Sequence, residues 1–142
     1  MATARKGKLG SRQVAAVPIR RNARGQLQVL LVTSRETQRW VIPKGWPWPG
    51  RPDHEAAAEE AWEEAGVRGR ARRGKTGSFS YGKRRNSGVL PVRVMVYLLE
   101  VTEVAKTWPE IEERRRAWFS PAKAADAVEE LELKALLRAL DP

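Results

Sequence analysis

Residues 41–67 read VIPKGWPWPGRPDHEAAAEEAWEEAGV, a loop dense in glycine and proline that feeds a helix carrying Glu59, Glu60, Glu63 and Glu64. The loop half is too rich in breakers for a strand or a helix, so it crosses as a stiff turn from a short strand predicted at residues 40–42. Gly45 lets the backbone approach a ligand closely. Behind the loop, Asp53 is a natural N-cap, its side chain accepting from the first free amides of the helix. Alanine, glutamate and tryptophan fill the helix body, Gly66 takes the left-handed position after the last turn, and Val67 closes a hydrophobic contact behind it. At roughly 100° per residue, Ala58, Ala61, Trp62 and Ala65 fall on one apolar arc. Glu60, Glu63 and Glu64 share the adjoining arc, with Glu59 at its edge.

Like charges four residues apart, as in Glu60 with Glu64 and Glu59 with Glu63, each cost about 0.2–0.5 kcal/mol. Two kinds of partner offset that. One is arginine at the surface of a solvated acidic face, in a chain whose net charge is +10. The other is a hard divalent cation, Mg²⁺ or Mn²⁺, held jointly by carboxylate oxygens and by a phosphate substrate.

Gly45, Glu60, Ala61, Glu63, Glu64, Gly66 and Val67 fall at the spacing of the Nudix box, and on these residues the chain resembles the Nudix hydrolase superfamily. Within it the chain is most similar to the diphosphoinositol polyphosphate phosphohydrolase group. Arg39-Trp40-Val41-Ile42-Pro43 before the box carries that likeness, as do Val101-Thr102-Glu103-Val104, Trp108 and the stretch Arg114-Arg115-Arg116-Ala117-Trp118-Phe119 after it. Two positions reverse the family's charges: Arg51 stands where the box has glutamate, and Glu59 where it has arginine. These are partner positions, so a reciprocal salt bridge is expected to tie loop to helix. The resemblance implies an α/β fold of the Nudix type, an α/β/α sandwich with a mixed β-sheet. It also implies a metal site of Glu60, Glu63 and Glu64 with the Gly45 carbonyl, the same three glutamates being catalytic, and Mg²⁺ (or Mn²⁺) as the cofactor. By the same resemblance, an acid from outside the box, Glu110, Glu112 or Glu113, is a candidate base.

Outward from the box, length and composition bound the rest. A chain of 142 residues without internal repeats fits one domain with a single core. Residues 1–12 are expected to be a basic mobile tail and residues 13–142 a single domain. There is no cysteine, and so no disulfide or thiol nucleophile; one histidine, His54 at the helix start, makes a Ser-His-Asp arrangement unexpected. No apolar run approaches a membrane span and the start lacks a signal-like apolar region, so the expectation is a soluble cytoplasmic protein without a membrane partner. Strands are predicted at residues 13–19, 27–34, 79–81 and 89–101, with Pro91 near a strand start or at an edge. Helices are predicted at 122–128 and 131–140, the first opened by Pro121. Gly69 and Gly74-Lys75-Thr76 fit the spacing of a phosphate-binding loop, but no buried strand precedes them and no helix follows, so the match is read as coincidence.

The cations are clustered. Residues 67–98 hold nine basic residues and no acidic one. With Arg20, Arg21, Arg24, Arg35, Lys44, Arg114, Arg115 and Arg116 they are expected to ring the acidic helix, and arginine forks suit phosphate oxygens. By resemblance, Lys83, Arg84 and Arg85 with Arg114, Arg115 and Arg116 occupy the substrate-binding segments, and Arg35 and Lys44 are candidates beside them. Trp40, Trp62 and Trp118 are assigned to the core; Trp46 and Trp48 either cap it or cover a substrate ring. The expected activity is Mg²⁺-dependent hydrolysis of a phosphoanhydride in a nucleoside-diphosphate-linked or highly phosphorylated small molecule, such as a diphosphoinositol polyphosphate or a dinucleoside polyphosphate. The alternative is a catalytically impaired module binding polyphosphates or RNA, with RNA the less favoured partner. Monomer and homodimer are both compatible with the sequence.

Overall fold

The computed structural model describes residues 12–140. The tail expected at residues 1–12 therefore lies outside the described residues except for Arg12, which already opens the first strand. Eight strands form one sheet: β1 (Arg12–Arg21), β2 (Leu27–Thr33), β3 (Trp40–Val41), β4 (Lys44–Gly45), β5 (Val67–Ala71), β6 (Gly77–Arg85), β7 (Gly88–Val104) and β8 (Arg116–Phe119). Three helices complete the described chain: α1 (Asp53–Ala65), α2 (Pro121–Ala127) and α3 (Leu131–Arg138).

β7 is the spine. β1 runs parallel to it from Arg12 opposite Arg93 to Ile19 opposite Glu100, whereas β6 and then β5 pair antiparallel along its other edge. Pro91 lies near the start of β7, paired with Gly82 of β6 and two residues before the first described pairing with β1. The two faces of the sheet are separately covered. Ala15, Val17 and Ile19 of β1 pack with Val94, Val96 and Leu98 of β7 beneath α2 and α3, which contribute Ala124, Ala125, Leu133 and Leu137. The alternate residues Val14 and Ala16, with Leu30, Val32 and Leu99, pack beneath Ala56, Ala57, Ala61 and Ala65 of α1. Strands buried on both faces show near-continuous apolar runs, which is the pattern of β1 and β2. The result is an α/β/α sandwich around a mixed sheet. No helix among the described residues is long and apolar enough to cross a membrane.

Several expectations are corrected. Lys44 and Gly45, expected within a turn, pair with Ala15 and Val14 as β4 before Pro47 breaks the chain. β5 and β8 were not expected as strands: β5 carries exposed arginines at the sheet edge, and β8 is four half-buried residues on β2. Pro52, not Asp53, is the N-cap of α1, with no side-chain cap; the Asp53 carboxylate instead pairs with Arg12. The buried face of α1 comprises Ala56, Ala57, Glu60, Ala61, Glu64 and Ala65, so Glu60 and Glu64 lie within the packed stripe, while Ala58 and Trp62 flank it. Trp62 is half-buried under the Arg68 guanidinium, 3.9 Å from its ring, and belongs to neither core cluster. Trp40 and Trp118 are half-buried at the core margins.

The end of α1 is fixed by Gly66, whose φ of 68° favours glycine. A Cβ there would lie 2.7 Å from the Trp108 ring and 2.8 Å from Arg116 Nη1. Those two side chains hold the helix end: Trp108 Nε1 donates to the Glu64 carbonyl at 3.1 Å and Arg116 Nη1 to the Ala65 carbonyl at 2.8 Å. Gly66→Ala is expected to lose more than about 1 kcal/mol in urea denaturation, from positive φ and displaced neighbours together. Gly74→Ala, at a position open to solvent, stays within about 0.5 kcal/mol of the parent.

Candidate active site

A cavity of about 550 Å³ opens where α1, β4, the 34–39 loop, β6 and the 105–115 connection meet. Glu60 and Glu64 line it from the helix, only 6% and 8% exposed. They sit one turn apart on the buried stripe because α1 carries only alanine between them and the sheet. Small residues let the helix lie close, and the glutamates reach the rim of the strand layer. Gly45 is pressed against Glu60: a Cβ at that position would fall 2.4 Å from the carboxylate carbon. Only glycine gives Glu60 this room.

Burial raises the Glu64 carboxyl from its ordinary 4.5 to about 8, the Arg114 guanidinium opposing the shift and Glu60 adding to it. Arg114 is the hub of this corner. Its Nη2 lies 3.5 Å from Glu64 Oε2, its Nε donates to Glu110 Oε1 at 2.6 Å, and its Nη1 donates to the Thr33 carbonyl at 3.0 Å. The Lys44 backbone N–H donates to Glu64 Oε1 at 3.3 Å. The Lys44 ammonium stands 5.0 Å from the Tyr81 ring, and burial lowers its pKa, with Glu64 pulling the other way.

Of the residues singled out in the sequence, Gly45, Glu60, Glu64, Arg35, Lys44, Lys83, Arg84 and Arg114 line this one cavity. Glu63 does not; it is half-exposed on the outer flank, and its carbonyl accepts from the Glu110 N–H at 3.1 Å. Arg85, Arg115 and Arg116 are also outside the lining. Arg116 is drawn inward to the Ala65, Gly66 and Ala105 carbonyls and over the Trp108 ring, and burial lowers its pKa. Arg115 lies 5.8 Å from the Trp40 ring. Arg51 reaches Glu59 at 3.9 Å and Glu55 at 3.4 Å, so it divides itself between two acids of α1. His54 sits half-buried in the first turn of α1, away from the cavity lining. Residues 72–76 connect β5 to β6 and precede a strand, so the GKT fragment opens no helix.

Sequence reasoning passed over Gln13 and Tyr81, which also line the cavity. The Tyr81 hydroxyl donates to Gln13 Oε1 at 2.7 Å, and burial raises its pKa to about 12. A lone glutamine heading the apolar run of β1 was the available signal: it is 4% exposed and needs a buried partner.

The donor set fits a divalent ion shared with substrate. Two desolvated carboxylates next to a glycine backbone suit Mg²⁺, which is commonly bound through one or two carboxylates and the substrate's phosphates. Among the described residues no group of three or more acidic or imidazole side chains is gathered into a complete protein cage.

The sequence matches the NUDIX domain family over residues 11–140. Bovine diphosphoinositol polyphosphate phosphohydrolase 3-beta is 34% identical over 125 residues, which are 87% of this chain and 71% of that protein. Rat diphosphoinositol polyphosphate phosphohydrolase 2 is 37% identical over 108 residues, 74% of this chain and 55% of that one, so the match spans about half the rat protein. Among solved structures, a C. elegans Ap4A hydrolase binary complex superposes with a TM-score of 0.65 at 22% identity, covering 90% of this chain and 93% of that one. The NUDIX domain of Shewanella oneidensis NrtR complexed with ADP ribose gives 0.62 at 17% identity, covering 90% and 86%. At those identities the structures speak for the fold alone, but the family match and the curated relatives go further: this chain belongs to the NUDIX domain family and is a pyrophosphohydrolase.

Proposed function

We propose that this protein hydrolyses a phosphoanhydride in a nucleoside-diphosphate-linked or highly phosphorylated small molecule, with Mg²⁺ (or Mn²⁺) held by Glu60 and Glu64 beside the Gly45 backbone. Diphosphoinositol polyphosphates are the substrate class that the curated relatives' names suggest, and dinucleoside polyphosphates carry the same anhydride. The observation that carries the reading is the buried Glu60 and Glu64 pair, Glu60 pressed against Gly45, in a cavity whose lining also brings Arg35, Arg39, Lys44, Lys83, Arg84 and Arg114 together. Two carboxylates drawn from water disfavour each other's ionisation, which Arg114 offsets in part and a divalent ion between them would offset further. Such an ion also binds phosphate oxygens and makes an attacking water more acidic.

The chain's own residues do the remaining work. Arg35, Lys44, Lys83 and Arg84 face the cavity and offset the charge of the phosphoryl groups. Glu110, paired with Arg114 in the same corner as Glu64, is the acid from outside the helix that would take the proton released as water adds to phosphorus. The P–O–P bond breaks as the new P–O bond forms, and the bridging oxygen leaves with the second phosphate. Glu63, half-exposed beside Glu59 and outside the cavity lining, is given no ligand role in this reading.

Two outcomes test this. Glu64→Gln is expected to lower divalent-dependent anhydride cleavage at least about a hundredfold, read by phosphorus NMR, with the far-ultraviolet circular dichroism unchanged; undiminished turnover would move the site elsewhere. The second concerns stability. In chelator, folded Glu64 keeps its proton up to about 8 whereas the unfolded chain releases it near 4.5, so the folded state binds more protons in that window. Stability is therefore expected to fall as pH rises from 4.5 to about 8. Urea denaturation across that range should show a smaller slope in Glu64→Gln, and magnesium should restore the parent's stability at the upper end.

A further inference from the structure

Arg39 lines the cavity, but the acids that hold it do not. Both come from the connection between α2 and α3: Arg39 Nη2 donates to Glu130 Oε2 at 2.9 Å, and Nε lies 3.6 Å from Glu129 Oε1. Glu130 is the stronger partner, its side chain 13% exposed against 69% for Glu129. Each side of the contact is fixed by its own segment. Val128 is buried in the core and anchors the connection, while the Arg39 backbone exchanges hydrogen bonds with Ser34. Glu130 stands at the N-cap of α3, yet its carboxylate caps no amide and goes to Arg39 instead. The arrangement leaves Arg39 Nη1 buried with no hydrogen-bond partner among the described residues. A buried donor left unmet is costly, so the acids hold the fork in a pose that the protein itself does not complete.

We infer that Glu130 is a specificity-determining residue that acts through Arg39: it keeps the fork engaged against α3 and so limits how much negative charge the cavity accepts. This rests on the reading of the cavity as a phosphate site. One guanidinium against two carboxylates leaves the group without net positive charge. Its field reaches the neighbouring cation as well: burial lowers the Lys44 pKa, Glu64 and Glu130 oppose that shift, and Arg39 adds to it. A ligand with two phosphates has the remaining lining cations, Lys83 and Arg84 among them, to meet it. A ligand crowded with phosphates must place some of them beside Arg39, where they have to displace a carboxylate that is nearly buried and already paired. Loss of Glu130 therefore raises affinity, and raises it most for the ligand with the most phosphates.

The test is calorimetric titration of the full chain, in magnesium, with two ligands that contain no anhydride to cleave, methylenebisphosphonate and inositol hexakisphosphate. Glu130→Gln should bind the hexakisphosphate roughly threefold to thirtyfold more tightly than the parent does, and the bisphosphonate within about twofold of it. Combined with Arg39→Gln the gain should disappear, because a general loss of negative charge would act without Arg39 and an effect exerted through the fork would not. Glu130→Asp keeps the charge, and its shorter carboxylate suits the N-cap of α3. It should release the fork and show a gain in the same direction, and it decides the matter should Glu130→Gln not fold. Unchanged or weaker hexakisphosphate binding, an equal gain for both ligands, or a gain that persists without Arg39 would overturn the proposal. Anhydride cleavage by the parent, followed separately by phosphorus NMR, keeps the two readings apart. No cleavage with the Glu130-dependent gain intact sinks the hydrolase reading alone, and cleavage without that gain sinks the selectivity role alone. Parent and variants that bind neither ligand would sink both.

Discussion

Two glutamates one helical turn apart are almost wholly buried at the edge of one cavity, and the surrounding structure is arranged to keep them there. Glu60 and Glu64 would lower their mutual repulsion by swinging into solvent. They stay because α1 is pinned along its length. Four alanines press it on the sheet, Gly45 leaves a hollow for the Glu60 carboxylate, and Trp108 and Arg116 grip the backbone at its last turn. Arg114 then supplies a nearby positive charge whose own position is fixed by Glu110 and the Thr33 carbonyl. That single guanidinium joins the helix, the 105–115 connection and β2.

The sheet turns this local strain into a site. Because β1 is buried on both faces, it cannot shift register without moving alternate side chains from one core cluster to the other. Its partner β4 is only Lys44 and Gly45, yet that pairing sets the height of the loop relative to α1. The Lys44 amide therefore reaches Glu64 while the Gly45 Cα faces Glu60. A two-residue strand does what a flexible loop of the same composition would not: paired to β1, it holds a backbone segment against a carboxylate.

Much of this was legible in the sequence, for identifiable reasons. The helix announced itself through Gly66 and an alanine-rich body, and β1, β2 and β7 through long apolar runs, because both signals are local. β5 and β8 were hidden because edge strands need only half an apolar pattern, and Arg68 and Arg70 mask it. The division of the four glutamates was also hidden. Periodicity alone assigned Glu60, Glu63 and Glu64 to one polar arc, whereas packing rotates α1 so that Glu60 and Glu64 go inward and Glu59 and Glu63 stay at the flank. A helix wheel gives relative angles between side chains; which angle faces the core is decided by the neighbouring strands. Asp53 failed as a cap for a similar reason: Arg12, far away in sequence, competes for its carboxylate.

Net charge is the feature most easily misread from sequence. A charge of +10 suggests a general attraction for polyanions, but many arginines are already engaged within the fold. Arg70 and Arg72 both bind Glu100, whose carboxyl they hold below its ordinary pKa, and the Ser80 amide, helped by Arg93, does the same for Glu132. Arg20, Arg68 and Arg116 lie on indole rings. The cations that face the cavity are a minority, and their field acts where it is least screened, beside buried carboxylates in a partly enclosed space. Selectivity for a phosphorylated ligand thus follows from which few cations the fold leaves pointing at one place, because an exposed arginine already paired with a neighbour contributes little to binding elsewhere.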